Sequence, residues 1–152
     1  MSVLNPIHPP HPFRSSAPTP TTFAALADAE RTAGALAVVV STVTPAHPTP
    51  RHSHEREDET FVVLEGRCVF RIGDQTYDAG TGDLVFAPRG LPHSFRVVGD
   101  QARLLTVLTP GGLENFFAVL AARPDLDPQA LMGLAADYGV TIHLPPAPFE
   151  ET

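Results

Sequence analysis

The chain has 152 residues, enough for one domain with a real core. Apolar residues make up 43% and charged residues 18%, which marks a globular chain and excludes a disordered one. Ten basic residues against 17 acidic ones give a formal net charge of −7, which argues against nucleic acid and weakly against an anionic membrane surface as partners. The lone cysteine, Cys68, allows no internal disulfide and gives no sign of an oxidising compartment. The first residues lack a secretory pattern, and no apolar run approaches the ~18 residues that would span a bilayer. A soluble, cytoplasmic protein is the expectation.

In chain order, residues 1–22 read as a Pro-rich tail carrying His8 and His11. The run Phe23 to Arg31 is Ala-rich with apolar spacing that predicts a short helix. From Gly34 to Pro110, short β-branched and aromatic runs alternate with Gly, Pro and Asp. Leu36–Val43, Thr60–Glu65, Arg67–Ile72, Asp83–Ala87, His93–Val98 and Arg103–Leu108 read as strands of an antiparallel sandwich or barrel. Gly73-Asp74 and Ala79–Gly82 mark turns. Strand alternation puts Cys68, Phe70 and Ile72 on one face, taken as the inner one, with Cys68 as a small core residue. After Pro110 the period becomes helical: Leu113, Phe116, Phe117 and Leu120 share one face. Asp127 then suits an N-cap, Pro128 a first turn and Gly139 an exit, with Leu131, Leu134, Ala135 and Tyr138 as the apolar stripe. These helices are expected to cover a barrel. Residues 145–152 read as a second tail.

Chemistry concentrates in two places. His52 and His54 stand two apart, so on a strand both face one way. Among the carboxylates that follow, Glu57, Asp58 and Glu59 are the candidate partners. The second place is the run Gly82 to His93, which holds Pro88, Gly90 and Pro92. Imidazoles with one carboxylate suit Fe, Mn, Co, Ni, Cu or Zn. An isolated histidine is usually structural; three at such spacings beside a carboxylate argue for a metal. Arg89 and Arg96 are candidates for orienting an anionic substrate, although solvated arginines at a barrel mouth are the commoner case. His47 and His143 fit no ligand position.

The two places together resemble the paired motifs of the cupin superfamily. The first motif runs HxH at 52 and 54, four residues, Glu59, six residues, Gly66; the second runs Gly82, Pro88, Gly90, His93. Ala46 and Val97 stand where the family pattern has glycine and asparagine, and neither position is a ligand in the family. The resemblance implies an all-β fold, a double-stranded β-helix or jelly-roll barrel over residues 23–110, with a short C-terminal helical extension over residues 111–144 packed on it. It implies one divalent metal ion per chain on His52, His54, Glu59 and His93, with the six-residue interval to Gly66 selecting Glu59. HSHEREDETFVVLEG, PRGLPHSF and TPGGLENFF further resemble single-cupin bacterial proteins grouped with quercetin 2,3-dioxygenase. That likeness implies a metal-dependent dioxygenase acting with O2 on a flavonol-like or other enolisable aromatic small molecule. Glu59 would be both ligand and catalytic base, and Phe70, Phe86 and Phe95 would line the substrate chamber. A homodimer is expected too, through the Leu36–Val43 strand or nearby residues. A different metal-dependent cupin reaction, isomerisation or decarboxylation, and a non-catalytic ligand-binding or sensor cupin are the alternatives.

Overall fold

A computed structural model describes residues 11–13, 22–46, 48–123 and 125–143. The tail readings over residues 1–10, 14–21 and 144–152, with His8, and the reading of His47 lie outside the described residues. The strands are β1 (His11–Phe13), β2 (Thr22–Ala27), β3 (Ala37–Val43), β4 (His52–His54), β5 (Asp58–Ile72), β6 (Gln75–Gly80), β7 (Leu84–Ala87), β8 (His93–Thr109) and β9 (Val140–Ile142). Two helices, α1 (Glu114–Ala122) and α2 (Pro128–Asp137), precede β9. Every pairing between these strands is antiparallel, and the path runs β1-β2-β3-β8-β4-β9, with β5 joining β8, β6 and β7. This is the antiparallel barrel that the strand rhythm predicts, in the jelly-roll form that the resemblance implies. No helix among the described residues is long and apolar enough to cross a membrane.

The barrel closes because its two longest strands fold over at a shared corner. β5 and β8 pair from Asp58↔Thr109 to Ile72↔His93, and their register slips between Val63 and Arg67. Gly66 sits at that slip with φ 84°, and a Cβ there would lie 2.7 Å from the Gln101 carbonyl oxygen. Only glycine lets the strands cross this closely. The runs read in the sequence as separate strands on either side of Gly66 are therefore the two arms of one bent strand. The Gly73-Asp74 turn is a two-residue loop closed by the Ile72↔Gln75 pair, with Gly73 at φ 57°. Inside, Phe61, Val63, Cys68, Phe70, Ile72, Val97 and Leu104 form one buried cluster. Cys68 is wholly buried there, and burial pushes its thiol up to about 11, which makes it a core residue rather than a nucleophile.

Four expectations are corrected. Residues 22–27 form strand β2 rather than the start of a helix: Thr22–Ala27 pairs with β3 on one side and β1 on the other. The Ala-rich composition favours a helix locally, but two flanking strands satisfy this backbone as sheet. His11–Phe13, read within the tail, is the strand that pairs there. Leu36–Val43 is not an edge, since β3 lies between β2 and β8, and the edge argument for a dimer goes with it. Finally, the C-terminal extension is more than two helices. After α2, capped by Asp127 accepting from the Ala130 amide at 2.8 Å, the chain returns as β9 and pairs with β4.

This return docks the extension firmly. A second buried cluster joins Ala37 and Leu108 of the barrel to Leu113, Phe116, Ala135 and Val140. Glu114, 1% exposed, accepts from the Ala29 amide at 2.7 Å and the Gly112 amide at 2.6 Å, so its buried carboxylate is paired.

Candidate metal centre

Three strands place the four candidate ligands. β4 is held between β9, through His52↔Ile142 and His54↔Val140, and β8, through His52↔His93. Its alternation turns His52 and His54 to the same side. Glu59 is the second residue of β5 and faces inward, opposite Leu108 of β8. His93 opens β8, and the loop before it is tied back by the Gly90 amide donating to the His54 carbonyl at 2.7 Å.

One ligand atom from each of His52, His54, Glu59 and His93 lies within 4.8 Å of the other three. The Nε2 atoms of His54 and His93 stand 3.0 and 2.9 Å from the same oxygen, Oε2 of Glu59. His54, Glu59 and His93 are all buried, and His52 is partly exposed at the rim. The outer nitrogens of two rings are spoken for. Nδ1 of His52 lies 2.7 Å from the Pro50 carbonyl, and Nδ1 of His93 lies 3.1 Å from the Leu91 carbonyl. A carbonyl only accepts, so both Nδ1 atoms donate; His52 keeps its lone pair on Nε2, while Nε2 of His93 donates to the Glu59 carboxylate, a proton that a bound metal ion would replace. This carbonyl support is the usual outer partner of a metal-bound imidazole.

Electrostatics separate the two rings. Burial, helped by the neighbouring His93, holds His52 down to about 3, so the ring is neutral at pH 7. Burial alone would raise Glu59, but hydrogen bonds with His54 and His93 outweigh it and keep the carboxylate ionised, well below the ordinary range. His93 is raised on balance: burial pulls it down and the Glu59 carboxylate pulls it up further. His54 is 2% exposed; its Nε2 meets the Glu59 oxygen at 3.0 Å, and its Nδ1 has no hydrogen-bond partner among the described residues. A buried polar atom left so costs about 1–3 kcal/mol. A divalent cation accepting a His54 lone pair, together with three neutral imidazoles and one carboxylate, fits this donor set.

The rival acids separate. Asp58 is bound by Arg89, at 2.9 Å from its amide and 3.0 Å from Nη2, which also engages the arginine offered as a substrate anchor. Glu57, the other candidate, is 5% exposed outside the ligand cluster, and burial raises its carboxyl. His143 pairs with Ser53 at 3.0 Å, off the metal side.

The centre opens into a cavity of about 330 Å3. Of the three phenylalanines expected on its wall, Phe95 lines it. Phe70 is wholly buried in the barrel core, packed on Phe61 and Phe95, and is not among the lining residues. Phe86 points outward and is 52% exposed, because Val85 and Ala87 take the inward positions of β7. The sequence reading missed Phe61, although its place two residues after Glu59 on one strand puts it on the same face. It also missed Phe23, and it missed that Phe116, Phe117, Leu120 and Leu131 of the extension close the chamber. Their helical stripe was visible, but not what it faces.

Fold and site define a jelly-roll protein with a three-histidine, one-carboxylate centre that faces an apolar chamber. Comparison with known proteins gives that class its name: a family model described as "Cupin domain" matches residues 39–108, and the chain carries a cupin domain over that span. Quercetin 2,3-dioxygenase of Bacillus subtilis is 35% identical over 69 residues, 45% of this chain but only 20% of that protein. The polyketide cyclase RemF from Streptomyces resistomycificus superposes with a TM-score of 0.52 at 33% identity, covering 60% of this chain and 66% of that one. KdgF from Halomonas sp. superposes with a TM-score of 0.59 over 71% of this chain and 91% of its own, at 17% identity, a likeness of fold alone.

Proposed function

We propose that the protein is a metal-dependent dioxygenase acting on a flavonol-like or other enolisable aromatic compound. The observation that carries this reading is the His52, His54, Glu59 and His93 centre facing an almost wholly apolar chamber. The match to quercetin 2,3-dioxygenase supports it, although it spans a fifth of that protein. A bound divalent ion would supply Lewis-acid stabilisation of the substrate's enolate oxygen and an electronic path to O2. The chain does the rest. Phe61 and Phe95 on the barrel side, and Phe116 and Phe117 on the extension side, hold a flat ring and exclude water. Glu59, ionised and beside the centre, accepts the enol proton as the substrate binds. The substrate supplies the electrons and both oxygen atoms of O2 enter the cleaved product, so no external reductant is required.

The test is oxygen uptake. Protein stripped of metal and reloaded in turn with Fe, Mn, Co, Ni and Cu is expected to consume O2 with quercetin while the flavonol absorbance falls. No rate above free metal in buffer would sink the dioxygenase reading. A second reading, a non-oxidative metal-dependent reaction on a ring compound, is favoured by the broader match to the polyketide cyclase. Turnover that persists without O2 would select it.

A further inference from the structure

The chamber wall is not uniformly apolar. Apart from the metal-centre side chains, its polar lining residues among those described are Ser41, Thr49 and Thr106. Thr49 stands between the exposed Pro48 and Pro50, at the mouth. Ser41 and Thr106 lie deep in the wall, 7% and 6% exposed. Their positions follow from the register. Across β5 and β8, Glu59 pairs with Leu108 and Phe61 with Thr106; across β3 and β8, Val39 pairs with Thr106 and Ser41 with Leu104. Alternation puts Glu59 and Phe61, Leu104 and Thr106, and Val39 and Ser41 on the inner face together. Thr106 is thus the diagonal neighbour of Glu59 on one side and of Ser41 on the other, each step about 7–8 Å. A polar row, Glu59 to Thr106 to Ser41, crosses three adjacent strands and leads away from the metal centre.

Neither hydroxyl has a hydrogen-bond partner among the described residues. Valine would fill the place of Thr106 and alanine nearly that of Ser41, without a polar atom to satisfy. Two hydroxyl-bearing side chains in the wall of an apolar chamber are more polar than the packing needs. We propose that Ser41 and Thr106 form a polar subsite that binds an oxygen substituent on the substrate's apolar skeleton, remote from the oxygen held at the metal centre. The inference rests on the chamber being the substrate site. A hydroxyl both donates and accepts, so the subsite takes a phenolic hydroxyl or a carbonyl. The chain contains no lysine, and no arginine among the described residues lines the chamber, so no side-chain cation described there selects a carboxylate or phosphate. The ligand class is a neutral polyoxygenated aromatic whose second oxygen lies one or two ring widths from the first.

Binding to zinc-loaded, redox-inert protein tests this apart from turnover. 3-Hydroxyflavone carries only the enolic oxygen pair; quercetin adds ring hydroxyls. Wild type is expected to bind quercetin about ten-fold tighter, the worth of one well-made buried hydrogen bond. In Ser41→Ala/Thr106→Val the preference should fall to within about two-fold, with zinc content, Tm and 3-hydroxyflavone affinity unchanged. Thr106→Ser, which keeps the hydroxyl, should retain the preference. Equal binding of the two flavonols by wild type, or a preference surviving in the double variant, would overturn the subsite. Selective binding lost in the variant but no O2 uptake with any metal would overturn the dioxygenase reading alone. Binding of neither flavonol would overturn both.

Discussion

Glu59→Gln is expected to lower turnover by about 10²–10⁴-fold at saturating metal, because it removes the proton acceptor while keeping the side chain's length and one oxygen. Metal affinity should fall less, since three imidazoles remain. The geometry gives the reason for both effects. Oε2 of Glu59 is the point on which the His54 and His93 Nε2 atoms converge, so the side chain belongs to the ligand set, and it is held ionised by those contacts. Glutamine keeps a neutral donor atom there and cannot accept the enol proton. Parallel measurement of kcat and bound metal decides the matter. A kcat within about three-fold of wild type at full metal occupancy would show that Glu59 is not the base.

The second large effect is structural. Phe116→Ala is expected to cost about 3 kcal/mol and to lower Tm by roughly 6–12 °C for a chain of this size. Phe116 is 6% exposed, belongs to the cluster joining α1 and α2 to Leu108, and packs at a tilt with ring centroids 5.3 Å from Tyr138 and 6.2 Å from Phe117. It also lines the chamber, so KM for a ring substrate should rise while metal content stays at the wild-type level. A Tm within a degree of wild type would mean that the extension is not docked on the barrel as described.

The coupling of extension to centre is the feature least visible in the sequence. The HxH pair, Glu59 and His93 were legible because strand parity and fixed intervals bring them together without knowledge of the rest of the chain. The barrel strands were legible for the same reason: glycines and prolines punctuate β-branched runs. β9 was not, because Val140–Ile142 is three residues long and gains its conformation only by pairing with β4. β2 was misread because alanine favours helix in isolation, whereas the flanking strands β1 and β3 decide here. Phe86 was misassigned by residue type. Its aromatic ring suggested a chamber wall, but parity with Val85 and Ala87 turns it to solvent. Thr106 and Ser41 carry no signal in the sequence at all; only the register shows that they stand in line with Glu59.

Everything functional rests on the centre holding a metal, and its most direct test is elemental analysis of the purified protein. About one divalent ion per chain is expected in wild type, and close to none in His54→Ala/His93→Ala, with circular dichroism showing the barrel still folded. The buried nitrogens of His54 and the shared Glu59 oxygen are the reason to choose this pair. Full metal occupancy in the folded double variant would contradict the assignment.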